Sequence, residues 1–329
     1  MTEQVRGAID VHAHAVPEGV IELVEAGVKG VSLEREGSAL RFQFEGGLRT
    51  APIEPGLLDV DERLRQMDAQ GVEIQILSSF IDVGAHHASP DSAIEYARIF
   101  NDELAAIVAG HPDRFQGFAT VPTQAPDSGA AEVLRTTQEH GFVGAEISAA
   151  AAMDGSLDDM WAQFDAARSL VLIHPESSTT AQLPYFLGNY VGNPAETTMA
   201  AADLLLSGRL EKYGNVEIFL VHGGGFLPYQ IGRLEHGWKQ YGQTFGANIS
   251  STPKELLRRF HFDTVVHDKA TLSHLISVVG PDRVVVGTDY PFAMGDKAPV
   301  ATVAAQGLTS RETSGILSGN LRRVLDRRG

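Results

Sequence analysis

The run AIDVHAHA, residues 8–15, ends an apolar stretch on two imidazoles, His12 and His14, two positions apart. Residues i and i+2 of a strand share a face, so the run predicts a buried strand delivering both rings side by side. Seven further short apolar, β-branched runs follow it: EIQILSSF (73–80), FQGFATVP (115–122), VGAEISA (143–149), LVLIHPE (170–176), VEIFLVHGG (216–224), FHFDTVV (260–266) and VVVGTDY (284–290). Helical patterns separate them. Near-continuous apolar strands alternating with amphipathic helices mean a parallel sheet covered on both sides, and eight such units predict an α/β fold of the (β/α)8 TIM-barrel type. A doubly wound open sheet is the competing architecture.

In LLDVDERLRQMDAQG, Leu57, Val60, Leu64 and Met67 recur at helical spacing and Gly71 follows as a C-terminal cap. Two stretches exceed a minimal barrel. Residues 16–58, with a hairpin expected around SLEREGSALRFQFEGG, separate the first strand from its helix, and residues 177–195 do the same after the fifth strand. Both follow strand C-termini, where barrel active sites are built, so both are expected to wall or cover a pocket. No linker or repeat divides the chain, and residues 1–329 read as one barrel domain with 16–58 inserted at its catalytic mouth.

The formal net charge of −16 argues against partners such as nucleic acid or an anionic membrane surface. Without cysteine there is no disulfide framework or thiolate nucleophile, and any metal must be held by histidine and carboxylate. The start MTEQVRGAID lacks a basic region followed by an apolar one, and no apolar run of about 18 residues occurs, so the expectation is a soluble cytoplasmic protein.

Polar residues gather at the predicted strand ends. His12 and His14 close the first, His174 the fifth, His222 the sixth and Asp289 the eighth. In a barrel these ends converge at one mouth, and three or four neutral imidazoles with one carboxylate suit a divalent ion such as zinc, with one position open. Asp10, inside the first strand, reads as a buried acceptor that orients a histidine. The stretch VHGGGFLPY is not the oxyanion loop of a serine hydrolase, because no G-x-S-x-G elbow exists, and its glycines are expected to permit close backbone approach beside His222. His86 and His87 are adjacent, so both are not expected to point inward from regular structure; an exposed loop is favoured slightly over substrate contact.

The series DVHAH, LIHPE, NPAETT, FLVHGGG, DTVVHD and VVGTDYPF resembles the amidohydrolase superfamily, in particular its metal-dependent decarboxylase branch, which includes 2-amino-3-carboxymuconate-6-semialdehyde and γ-resorcylate decarboxylases. The resemblance implies that His12, His14, His174 and Asp289 hold one ion, zinc first and manganese second. It implies that His222 stands beside the ion as an acid/base or orienting group, with Asp289 sharing the catalytic work. Arg233, in IGRLEHG, matches an arginine that reaches a substrate carboxylate, in some members from a neighbouring subunit, which implies a homodimer or higher oligomer. Phe292 matches a pocket-wall aromatic.

The chain also departs from that pattern. An arginine of the first insertion binds substrate in the semialdehyde enzyme, and here Arg41 and Arg49 are the nearby candidates. Glu176 stands where that enzyme has tryptophan, adding a carboxylate to a pocket in which it and His86 are candidate substrate contacts. The fourth strand ends on Glu146 rather than a lysine, which argues for one ion rather than two. The implied activity is non-oxidative decarboxylation of an aromatic or unsaturated carboxylic acid. The alternative is hydrolysis of an amide or lactone on the same scaffold.

Overall fold

In a computed structural model of the chain, residues 7–176 and 183–328 are described. The strands are β1 (Ala8–Ala15), β2 (Val31–Glu36), β3 (Ala39–Phe44), β4 (Val72–Ser79), β5 (Phe115–Thr120), β6 (Gly144–Ser148), β7 (Leu170–His174), β8 (Glu217–Leu220) and β9 (Phe260–Phe262). Seven of them form one curled parallel sheet in the order β1-β4-β5-β6-β7-β8-β9, with helices between successive strands, consistent with a TIM-type fold.

The eighth expected strand, 284–290, is not a regular strand. It makes isolated parallel bridges instead, Val284 with Phe262 on β9 and Val286 and Tyr290 with Asp10 and Ala13 on β1, so it touches both edges of the sheet. Asp289 interrupts it by taking a positive φ of 56°. That conformation breaks the pleat that a ladder requires.

Alternation along the strands fills two cores. Leu170 and Leu172 of β7, Phe219 of β8, Val285 and Ile9 and Val11 of β1 pack into an inner cluster, while Val171, Ile173, Ile218 and Val286 join the layer beneath the helices. His174 continues the inner parity of Leu170 and Leu172. His12 and His14 do not share the parity of Ile9 and Val11, and the register of β1 on β4 slips between Asp10 and Ala13. A bulge inserts one residue and re-aims those that follow it. Here it turns both imidazoles to the side of His174.

The hairpin expected in residues 16–58 is present as antiparallel β2 and β3, following a helix at Glu18–Gly27. Every second residue of β3, Leu40, Phe42 and Phe44, is buried, and the Phe44 ring meets Tyr96 of the helix Pro90–Gly110 edge-on at 5.8 Å. The helix Val60–Gln70 is capped by Asp59, whose carboxylate accepts from the Glu62 N–H, and ends on Gly71 at φ 72° as its C-cap. Of the expected wall 177–195, residues 177–182 lie outside the described residues. Beyond them, Leu183, Tyr185, Phe186 and Tyr190 are exposed.

Candidate metal centre

Three imidazoles from β1 and β7 converge with one carboxylate. One ligand atom each from His12, His14, His174 and Asp289 lie within 4.8 Å of one another, and all four residues are buried. The far nitrogen of each ring is already committed. Nδ1 of His12 lies 2.7 Å from Asp263 Oδ2, Nδ1 of His14 is 2.9 Å from the Ser79 carbonyl, and Nδ1 of His174 is 2.9 Å from the Pro175 carbonyl. A carbonyl oxygen only accepts, so His14 and His174 carry their proton on Nδ1 and present a bare lone pair at Nε2. Among the described residues, Nε2 of His12, His14 and His174 are buried without a hydrogen-bond partner. Asp289 Oδ1 is 3.4 Å from two of these nitrogens, those of His12 and His14.

Buried unpartnered polar atoms are costly, and here they point at one another, as ligands of an ion do. A divalent cation would satisfy all of them. The donor set, three neutral nitrogens and one carboxylate oxygen, fits a zinc- or manganese-class ion. Burial pushes the His12 and His174 rings below their ordinary pKa, which favours the neutral form that binds metal. Burial opposes charge on Asp289, but the surrounding His12, His14 and His222 outweigh it and hold the carboxyl well below its usual range.

His222 stands at the rim of this cluster, with Nε2 at 3.7 Å from Asp289 Oδ2. It sits at φ 53° and is followed by Gly223, Gly224 and Gly225, all at positive φ. A Cβ at Gly225 would lie 2.1 Å from the Pro194 carbonyl. The glycines therefore allow the close approach expected of them. Phe292 lies against the site, its ring 5.6 Å from His14 and 4.9 Å from Phe80.

Other expected contacts fall elsewhere. Arg49 does not reach the cluster: its guanidinium makes a two-pronged pair with Glu34 and a longer one with Glu36 on the exposed hairpin, at 41% exposure. Its donors are taken up by these hairpin carboxylates. Arg233 lines an outer groove with Met199, Trp238, Tyr241 and Phe245, away from the four ligands. Asp10 does not touch an imidazole. It accepts from the backbone N–H groups of His12 and Thr288 and from Gln75 and Thr288 side chains, so it fixes the strand rather than the ring. His86 and His87 are not exposed loop residues. The single 3-10 turn Ala85–His87 brings their rings together, tilted at 46° with centroids 3.9 Å apart, and Nε2 of each is buried.

Asp263 and Glu146 were not foreseen as supports of the site. Asp263 follows β9 two positions after His261, and a Cβ at Gly287 would come within 2.8 Å of its side chain, so the absence of a side chain at 287 gives it room. Glu146 lies 3.7 Å from His14 Nδ1, accepts from Ser78 and Ser79, and burial pushes its carboxyl up to about 7. The available signal was parity: acids two residues beyond, or inside, an inward-facing strand position.

The sequence matches the family described as Amidohydrolase over residues 9–327. The chain belongs to the amidohydrolase family. Among relatives of this amidohydrolase, 2-amino-3-carboxymuconate-6-semialdehyde decarboxylase of Dictyostelium discoideum is 30% identical over 323 residues, covering 95% of this chain and 89% of the relative. Gamma-resorcylate decarboxylase of a Rhizobium species is 32% identical over 264 residues, covering 74% and 80%. The crystal structure of a dihydroxybenzoic acid decarboxylase from Polaromonas, with bound manganese and the inhibitor 2-nitroresorcinol, superposes with a TM-score of 0.76 at 24% identity over 98% of each chain, a likeness of fold. Among the described residues of this amidohydrolase, no helix is long and apolar enough to cross a membrane.

Proposed function

We propose that this amidohydrolase is a metal-dependent carboxy-lyase that removes carbon dioxide, without oxidation, from an aromatic or unsaturated carboxylic acid. The observation that carries the reading is the convergence of three buried, unpartnered imidazole nitrogens on Asp289, with His222 beside it, in a chain whose relatives are named decarboxylases. His12, His14, His174 and Asp289 would hold one ion, zinc first and manganese second; the manganese of the Polaromonas neighbour supports the second. When bound, the ion would supply positive charge to the substrate's oxygen donors and to the negative charge developing beside the breaking bond.

The chain's own residues do the rest. The bond from ring or alkene carbon to carboxyl carbon breaks, its electron pair stays on the former carbon, and the carboxyl group leaves as carbon dioxide. A proton must then reach that carbon. Asp289 and His222, with 3.7 Å between their facing atoms, form a pair through which one proton can be carried to it. Phe80 and Phe292 supply an apolar wall that suits a flat unsaturated substrate.

The wider organisation belongs to the same proposal: one (β/α)8 barrel domain over residues 1–329, with 16–58 inserted at the mouth. Arg233 would serve the substrate carboxylate from a neighbouring subunit of a homodimer or larger oligomer. Its groove, with Met199, Tyr241 and Phe245 exposed around it, is an apolar face of the kind a second copy covers. The hydrolase alternative has no relative's name in its favour among those above.

The deciding experiment supplies the purified protein with zinc or manganese and offers hydroxybenzoates and muconate-type acids, following carbon dioxide release, with amides and lactones alongside. Release of one carbon dioxide per acid consumed is expected. Turnover of the amides or lactones with no carbon dioxide from any acid would overturn the assignment.

A further inference from the structure

A second group of metal-binding side chains lies outside the four-residue centre. His86 and His87, in the turn after β4, and Glu176, just past β7, each offer one ligand atom, and these atoms lie within 4.8 Å of one another. Nε2 of His86 is 3.8 Å from Glu176 Oε1. Nε2 of both histidines is buried with no hydrogen-bond partner among the described residues, although 90 positions of sequence separate the turn from the glutamate. Two unpaired nitrogens facing an acceptor-only carboxylate are not a hydrogen-bonded network. They are an arrangement that a bound cation would satisfy.

Local backbone chemistry holds the two rings together. Adjacent residues of a strand would point apart, but the 3-10 turn Ala85–His87 places the ring centroids 3.9 Å from each other. Gly84 admits the first ring: a Cβ there would sit 2.7 Å from His86 Nδ1. The Glu176 backbone N–H is held by the Glu196 carboxylate at 2.7 Å, which fixes the third donor's attachment. Burial pushes His86 down to about 4 and His87 to about 3, so both rings present lone pairs near neutral pH. Asp82 adds negative charge nearby, its carboxyl raised to about 6 by burial and by Glu176.

We propose that His86, His87 and Glu176 form a second divalent-cation site at the mouth, with zinc as its natural occupant and one coordination position left for water or a substrate oxygen. Two imidazoles and one carboxylate are a known zinc donor set with an open position. The site shares no ligand with the first. Its charge would lie where an acidic chain otherwise repels an anionic substrate, while Arg49 is tied to Glu34 and Arg233 stands in the outer groove.

The test uses zinc alone and needs no substrate. The full-length protein, stripped with chelator, is dialysed against micromolar zinc and its retained metal counted by mass spectrometry, with circular dichroism checking the fold. Wild type is expected to retain two equivalents per chain, and the His86→Ala/His87→Ala double variant one. Glu176→Gln, which keeps size and fold, is expected to lose the second equivalent and keep the first. A wild type that holds one equivalent, or a Glu176→Gln protein that still holds two, overturns the proposal. Neither result bears on the four-residue centre, whose loss is read separately from His174→Ala.

Discussion

His12 and Asp263 are joined by a 2.7 Å contact between Nδ1 and Oδ2, with both side chains essentially without solvent exposure. The other oxygen of Asp263 accepts from the Gly223 N–H at 2.8 Å and from the Val265 N–H, so one carboxylate ties β1 to the turn that carries His222. Burial raises the cost of the charge on Asp263, but His12 outweighs it and keeps the group ionised. An ionised acceptor holds the His12 proton on Nδ1 and leaves Nε2 free for metal. In Asp263→Asn an amide can donate to Nδ1 and force the proton to Nε2. Zinc affinity is expected to fall by about 10–100-fold with the fold retained. Competition against a chromophoric chelator measures it, and unchanged affinity would show that Asp263 does not set the tautomer.

His174→Ala removes a ligand rather than a support. Its Nε2 is one of three buried unpartnered nitrogens, and the alanine leaves the ion with two imidazoles and a carboxylate. The variant is expected to lose the equivalent held at the four-residue centre and nearly all turnover, while the fold persists because His174 stands at the end of β7. Metal content after gel filtration, read as the difference from wild type, decides this, and a variant holding as many equivalents as wild type would reassign the ligand set.

What the sequence revealed and what it hid divide along physical lines. Period-two and near-continuous apolar patterns place β1 with its bounds unchanged and six more sheet strands with ends shifted by up to four residues, because burial on both faces leaves little choice of residue. The segment 284–290 reads as a strand from its valines, but a positive φ at Asp289 is not encoded in hydrophobicity. The parity of His12 and His14 was legible; the bulge that turns them toward His174 was not, since a bulge is a property of pairing between β1 and β4. Asp263, Glu146 and the pairing of Arg49 with Glu34 are likewise products of register and tertiary neighbours. The inward turn of His86 and His87 depends on Gly84, whose role appears only once the ring beside it is placed.

His222→Asn separates chemistry from metal binding. The imidazole is outside the four-ligand group yet 3.7 Å from Asp289, and asparagine tolerates the positive φ of 53° that the position demands. The variant is expected to keep its metal and its melting temperature while losing about 10²–10⁴-fold in kcat, the usual worth of a general acid/base. Turnover near wild type would remove His222 from proton transfer.

The two rings of the second group also predict a pH signature of stability. In the folded chain burial holds His86 near a pKa of about 4 and His87 near about 3, against an ordinary value of 6.5. Depressed folded-state values mean that the unfolded chain takes up protons first, so this contribution to stability is fully present above 6.5 and lost as pH falls toward 4. Asp10 and Glu146, raised to about 7, and Asp82, raised to about 6, act in the opposite sense, gaining stability as pH falls. The total curve mixes both, and a difference measurement isolates the histidine. His86→Asn, compared with wild type by urea unfolding of chelator-treated protein, is expected to lose about 2 kcal/mol less between roughly pH 7 and roughly pH 5, at about 1.4 kcal/mol per unit of pKa difference. The destabilisation of the variant at neutral pH is a separate offset that does not alter this slope. Parallel curves for the two proteins would mean that His86 is solvated and titrates normally in the folded chain.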